Sequence, residues 1–135
     1  MLDRRWLAGF FDGEGCVYLQ SMKRVNRQLP RYSLSVFLTQ NDKAILEEVQ
    51  REFGGKVTQH SGRRCYRWRV VSRNVLDFLY AVYPHSILKR DQINLAIEFA
   101  CSIRTTNIGN VSMGEETNKR RAFIHNRLKE LKHSI

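Results

Sequence analysis

The chain has 135 residues, enough for one domain with a real core but short for a large two-lobed enzyme. Its 23 Lys and Arg against 13 Asp and Glu leave a formal charge of +10, more than solubility requires, so a polyanionic partner is expected. No apolar run approaches the roughly 18 residues that cross a bilayer, Met1 leads straight into Asp3-Arg4-Arg5, and the three cysteines form no CxxC, so a soluble intracellular protein without a disulfide framework or zinc site is expected.

Asp3 can cap a helix running toward Asp12, with Trp6, Leu7, Phe10 and Phe11 clustered on it and Gly13 and Gly15 ending it. Residues 16–24 and 31–39 alternate in the two-residue rhythm of strands around a turn at 26–30, and Leu34, Val36 and Leu38 share one face of the second strand. Asn41 is the expected N-cap of a second helix, in which Ile45, Leu46, Val49 and Phe53 recur at helical spacing before Gly54-Gly55 stops it. Residues 56–60 and 64–71 flank Ser61-Gly62-Arg63 as a second hairpin. In its last strand Tyr66, Trp68 and Val70 point one way and Cys65, Arg67 and Arg69 the other, so one face is apolar and the opposite one carries guanidinium groups.

A third helix is expected over 74–83, ended by Pro84, and two more over 91–103 and 115–131. They repeat through Ile93, Ala96, Ile97 and Ala100 and through Phe123, Ile124, Leu128 and Leu131, with a polar loop at 104–114 between them. The result is an α+β arrangement, a single domain over 1–135 in which helices back one antiparallel sheet and leave its other face exposed. Arginines on that face suit entry into a DNA major groove. No internal repeat, linker, phosphate-binding loop or histidine pair at metal-ligand spacing is present.

The segment Leu7-Ala8-Gly9-Phe10-Phe11-Asp12-Gly13-Glu14-Gly15 is a helix that runs out at glycines and delivers two carboxylates at its end. Gly9 and Gly13, four apart, share one helical face and permit close backbone approach. With only one such helix in the chain, the partner helix is expected from a second copy across a two-fold axis. Converging carboxylates repel unless a cation sits between them, which favours Mg²⁺, a hard ion with oxygen ligands.

These nine residues resemble the signature of the LAGLIDADG homing endonuclease family, and the resemblance extends over nearly the whole chain. It implies that family's fold, α-β-β-α-β-β-α-α, with an antiparallel sheet saddle backed by helices. A single motif implies a homodimer, with Leu7, Gly9, Phe10, Asp12 and Gly13 at the seam. The resemblance also gives Glu14 the role of metal ligand, with the Gly13 carbonyl beside it, and makes Asp12 mainly structural. Gln40, after the second strand, would position the attacking water, and Lys89 would stabilise the phosphate or polarise water. A further basic group common near the second helix has only Lys43 as a counterpart.

Implied overall is Mg²⁺-dependent cleavage of both strands of a long, roughly palindromic duplex by an intron-encoded or free-standing enzyme. Candidate base and phosphate contacts are Gln20, Arg24, Ser33, Ser35, Phe37, Arg67 and Arg69. The same fold also serves nucleic-acid binders that do not cut, such as maturases acting on intron RNA or transcription regulators, and these need the basic face but no metal.

Overall fold

The computed structural model describes residues 1–22, 31–59, 64–103 and 115–133. Helix α1 spans Arg4–Glu14, and the Asp3 carboxylate accepts the Arg5 and Trp6 N–H groups at its start, as its position before the apolar run predicts. The helix continues through Gly13 and stops only at Gly15, where strand β1, Gly15–Met22, begins at once. This stop is a packing requirement. A Cβ on Gly15 would lie 2.1 Å from the buried Phe11 ring and 2.7 Å from the Phe11 carbonyl oxygen.

Strand β2 is Arg31–Gln40, and α2 is Lys43–Phe53. Its N-cap is Asp42, whose carboxylate accepts the Ala44 N–H, rather than the neighbouring Asn41, whose own N–H is taken by Gln40. Strands β3, Lys56–Gln59, and β4, Tyr66–Val71, form the second hairpin. The glycine stop before β3 is used twice. Gly54 and Gly55 both have positive φ, the Gly54 carbonyl accepts the Trp68 indole N–H at 2.7 Å, and a Cβ on Gly55 would lie 2.5 Å from the Arg69 carbonyl oxygen.

The expected third helix divides into a 3-10 turn, Ser72–Val75, helix α3, Leu76–Val82, and another 3-10 turn, Tyr83–His85. Helices α4, Arg90–Cys101, and α5, Glu115–His133, follow. The four strands pair antiparallel in the order β1-β2-β4-β3, so β2 and β4 are central. The expected turns at 26–30 and 61–63, the polar loop at 104–114 and Arg24 lie outside the described residues.

Strand alternation decides which face is covered. Val17, Leu19, Leu34, Val36, Leu38, Trp68 and Val70 are buried beneath the helices. Phe78 of α3 is the hub, its ring meeting those of Phe11, Phe53 and Trp68 at centroid distances of 5.3, 5.3 and 4.9 Å. Ile124 and Leu128, one turn apart on α5, complete the layer against β1 and α4. Among the described residues no helix is long and apolar enough to cross a membrane.

Candidate functional site

The uncovered sheet face is built from the opposite set of strand residues. The register aligns Cys16 with Phe37, Arg69 and Lys56, Tyr18 with Ser35 and Val71, Gln20 with Ser33, and Thr39 with Arg67 and Thr58. No strand residue on this face is Asp or Glu, so the face offers an anion only neutral and cationic groups. Tyr18, Gln20, Ser35, Phe37, Arg67 and Arg69 line a shallow depression at its centre. The alternation thus brings together all of the expected contact residues that are described.

They are not equally presented. Ser35 is only 1% exposed and forms the floor of the depression rather than a reaching contact. Phe37 lies under the Arg67 guanidinium, 4.3 Å from ring centroid to Cζ, so it serves as a platform. Arg69 is exposed. Tyr18, Lys56 and Lys132 were not anticipated. The Lys132 ammonium of α5 lies 5.3 Å over the Tyr18 ring, bringing the basic last helix to the β1 edge of this face.

At the end of the sheet, α1 delivers the motif. Its inner stripe, Leu7, Ala8 and Phe11, is buried in the protomer. Leu7 is therefore a core residue and not part of an outer seam, because its side chain is fully enclosed by its own chain. Trp6, Gly9, Phe10 and Gly13, spaced i, i+3, i+4 and i+7, form the outer stripe instead. The Trp6 and Phe10 rings lie 5.1 Å apart, and a Cβ placed on Gly9 or Gly13 would meet nothing within 4 Å. Ile87 and Leu88, on the segment bonded to Asp12 of the same helix, are 84% and 66% exposed.

Asp12 faces a different direction. Its carboxylate accepts hydrogen bonds from the Ser86 hydroxyl and from the backbone N–H groups of Ile87, Leu88 and Lys89. Partial burial works to raise its pKa, but these donors outweigh it and hold the carboxyl below the usual Asp range. Lys89, the residue before α4, donates from Nζ to the Asp12 carbonyl oxygen at 2.5 Å. Lys89 and the last turn of α1 are thereby brought together across 77 positions of sequence.

Glu14 is exposed at the C-terminal end of α1. The last carbonyls of a helix lack partners within it, so Glu14 and Gly13 offer a carboxylate and a carbonyl oxygen, the hard donor set that Mg²⁺ takes. Among the described residues no group of three or more His, Cys, Asp or Glu side chains gathers in one protomer.

Gln40 is placed less directly. Gly15 pairs with Leu38, so Thr39 and Gln40 run past the start of β1 beside the end of α1. Gln40 shares the parity of buried Leu38, pairs with Tyr66, and spends its side-chain oxygen on the Asn41 N–H at 2.8 Å. Thr39 is the residue at that strand end on the open face, aligned with Arg67. The Lys43 ammonium lies 5.6 Å over the Tyr66 ring.

A family model described as LAGLIDADG endonuclease matches residues 7–89. DNA endonuclease I-CvuI of Chlorella vulgaris is 30% identical over 112 residues, 80% of this chain and 70% of that protein. A crystal structure of I-CvuI with a DNA target superposes with a TM-score of 0.78, covering 95% of this chain and 80% of that one at 23% identity. The archaeal intron-encoded homing endonuclease I-Vdi141I, complexed with DNA, gives 0.76 over 95% and 82% at 18% identity. I-GzeII, also with its DNA target, gives 0.75 over 93% of this chain but 44% of its own, at 15% identity. With the motif helix, both hairpins and Lys89 inside the matched region, the chain belongs to the LAGLIDADG endonuclease family.

Proposed function

We propose that the protein is a homodimeric, Mg²⁺-dependent, site-specific DNA endonuclease that cuts both strands of a long, roughly palindromic target. The observation that carries this is the Lys89 ammonium held on the Asp12 carbonyl in the last turn of α1, the turn that ends in exposed Glu14, together with a sheet face without acids. A binder that does not cut, such as a maturase, needs the basic face alone and has no use for a lysine pinned beside the motif.

The dimer is supported by the outer stripe of α1. Exposed Trp6 and half-buried Phe10 share that stripe with two glycines, which lets a second α1 approach backbone to backbone, and exposed Ile87 and Leu88 lie on the segment that Asp12 holds against the same helix. Leu7 has no place in this seam, and the Asp12 side chain serves its own protomer.

Each protomer then contributes one Glu14 carboxylate and the neighbouring Gly13 carbonyl to the metal. Magnesium, when bound, supplies Lewis-acid activation of water and of the scissile phosphate. Lys89 sets a positive charge where charge builds on the phosphate, and a preorganised charge costs no reorganisation during reaction. Arg67, Arg69 and Gln20 hold the duplex on the sheet, and Gln40 or Thr39 orders water at the strand end. Incubation with Mg²⁺ and a randomised duplex library, followed by sequencing of broken ends, tests the assignment. Recovery of a single, roughly symmetric site is expected. Binding of a specific duplex without any double-strand break would instead assign a non-cutting binder.

A further inference from the structure

Asp12 receives more hydrogen bonds than a helix-end acid requires. Oδ1 accepts the Ser86 hydroxyl and, at 3.2 Å, the Lys89 N–H; Oδ2 accepts the Ile87 and Leu88 N–H groups at 2.8 and 3.1 Å. Ser86 is 3% exposed, and its own N–H is tied to the Val82 carbonyl at 2.9 Å. Lys89 is held at three points, since its carbonyl accepts the Ile93 N–H, its N–H reaches the Asp12 carboxylate and its ammonium reaches the Asp12 carbonyl. A lysine on a flexible four-carbon stem is ordinarily free to sample many rotamers. Here both ends of Lys89 are fixed by one residue.

We propose that Asp12 is a positioning residue for cleavage: it organises the 86–89 turn so that the Lys89 ammonium stands at the last turn of α1, the turn that ends in Glu14. This rests on the nuclease assignment and on Lys89 acting at the phosphate. Asparagine in place of Asp12 keeps the shape but has a single acceptor oxygen, and its amide would face backbone N–H donors, so bonds to the turn are lost. The backbone of Lys89 then loses its anchor, the bond of its ammonium to the residue-12 carbonyl is left unsupported, and the catalytic geometry loosens while the DNA-binding face is untouched.

The test is a double-mutant cycle on the full-length protein with Mg²⁺ and a duplex selected from the library, comparing wild type, Asp12→Asn, Lys89→Met and the double variant. Single-turnover cleavage should fall about 100-fold in each single variant, and target Kd should stay within about twofold. The double variant should be no slower than Lys89→Met, because the acid acts through the lysine. Ser86→Ala, which removes one bond and leaves the backbone ones, should show a smaller loss that likewise disappears without Lys89, and it carries the test if Asp12→Asn fails to melt cooperatively. Additive losses, or cleavage by Asp12→Asn at the wild-type rate, overturn the positioning role while leaving the nuclease assignment intact. Failure of wild type to cut any duplex overturns both.

Discussion

The guanidinium of Arg67 lies 4.3 Å over the Phe37 ring, and its Nε is buried without a hydrogen-bond partner among the described residues. A planar fork fixed on an aromatic platform is arranged for directional hydrogen bonding, whereas exposed Arg69 has the freedom of a phosphate contact. Arg67→Lys is therefore expected to lose about 1–3 kcal/mol of discrimination on the selected target while binding to random duplex holds. Arg69→Ala should weaken both and lower the salt slope by about 0.9. Fluorescence anisotropy over a salt series separates the two.

Gly9 offers a test of the seam in which protomer and dimer respond in opposite directions. A Cβ there meets nothing of its own chain, so Gly9→Ala should stabilise the isolated helix by up to about 1 kcal/mol. A larger side chain, as in Gly9→Leu, should hold α1 helices apart. Light scattering is expected to give a monomer mass for Gly9→Leu and a dimer mass for wild type, with the protomer's melting temperature not lowered. A monomeric wild type, with and without DNA, would remove the homodimer.

Gly15 should behave in the reverse sense. Its added Cβ would strike the Phe11 ring and carbonyl, and overpacking against a buried neighbour costs about 1–3 kcal/mol. Urea denaturation of Gly15→Ala should show that loss with the slope unchanged.

His125 stacks beside Tyr32 at 5.6 Å. Burial, then the positive charge of Lys129, holds its pKa below 6.5, with Lys132 adding to this and a hydrogen bond with Asn126 opposing it. Because the folded pKa lies below the unfolded one, folding disfavours the protonated ring. His125 therefore contributes nothing adverse above pH 6.5 and costs stability as pH falls from 6.5 through its folded value. In His125→Gln, the fall in unfolding free energy between about pH 8 and about pH 5.5 should be smaller than in wild type. An equal fall in the two proteins would remove His125 as a contributor.

The element order and the basic sheet face were legible because alternation and helical spacing are local. Arg67 and Arg69 oppose Trp68 and Val70 as a two-residue period requires. Helix α1 defeats that logic. It carries large apolar groups on both sides, so nothing in the spacing says whether Leu7 or Trp6 turns inward, and packing against the sheet decides for Leu7. A choice between adjacent Asn41 and Asp42 as cap, or between Thr39 and Gln40 on the open face, turns on a single residue of register. The grip of Asp12 on residues 86–89 has no local signature at all, since its partners lie 74 to 77 positions away.

Cleavage of the selected duplex by Glu14→Gln in Mg²⁺ tests the central claim most directly. The substitution removes one carboxylate charge from each protomer and leaves the sheet face and the Asp12 turn in place. Target binding within about twofold of wild type and a loss of cleavage of about 1,000-fold or more are expected. A Glu14→Gln protein that cuts both strands at the wild-type rate would contradict the placing of the chemistry at the end of α1.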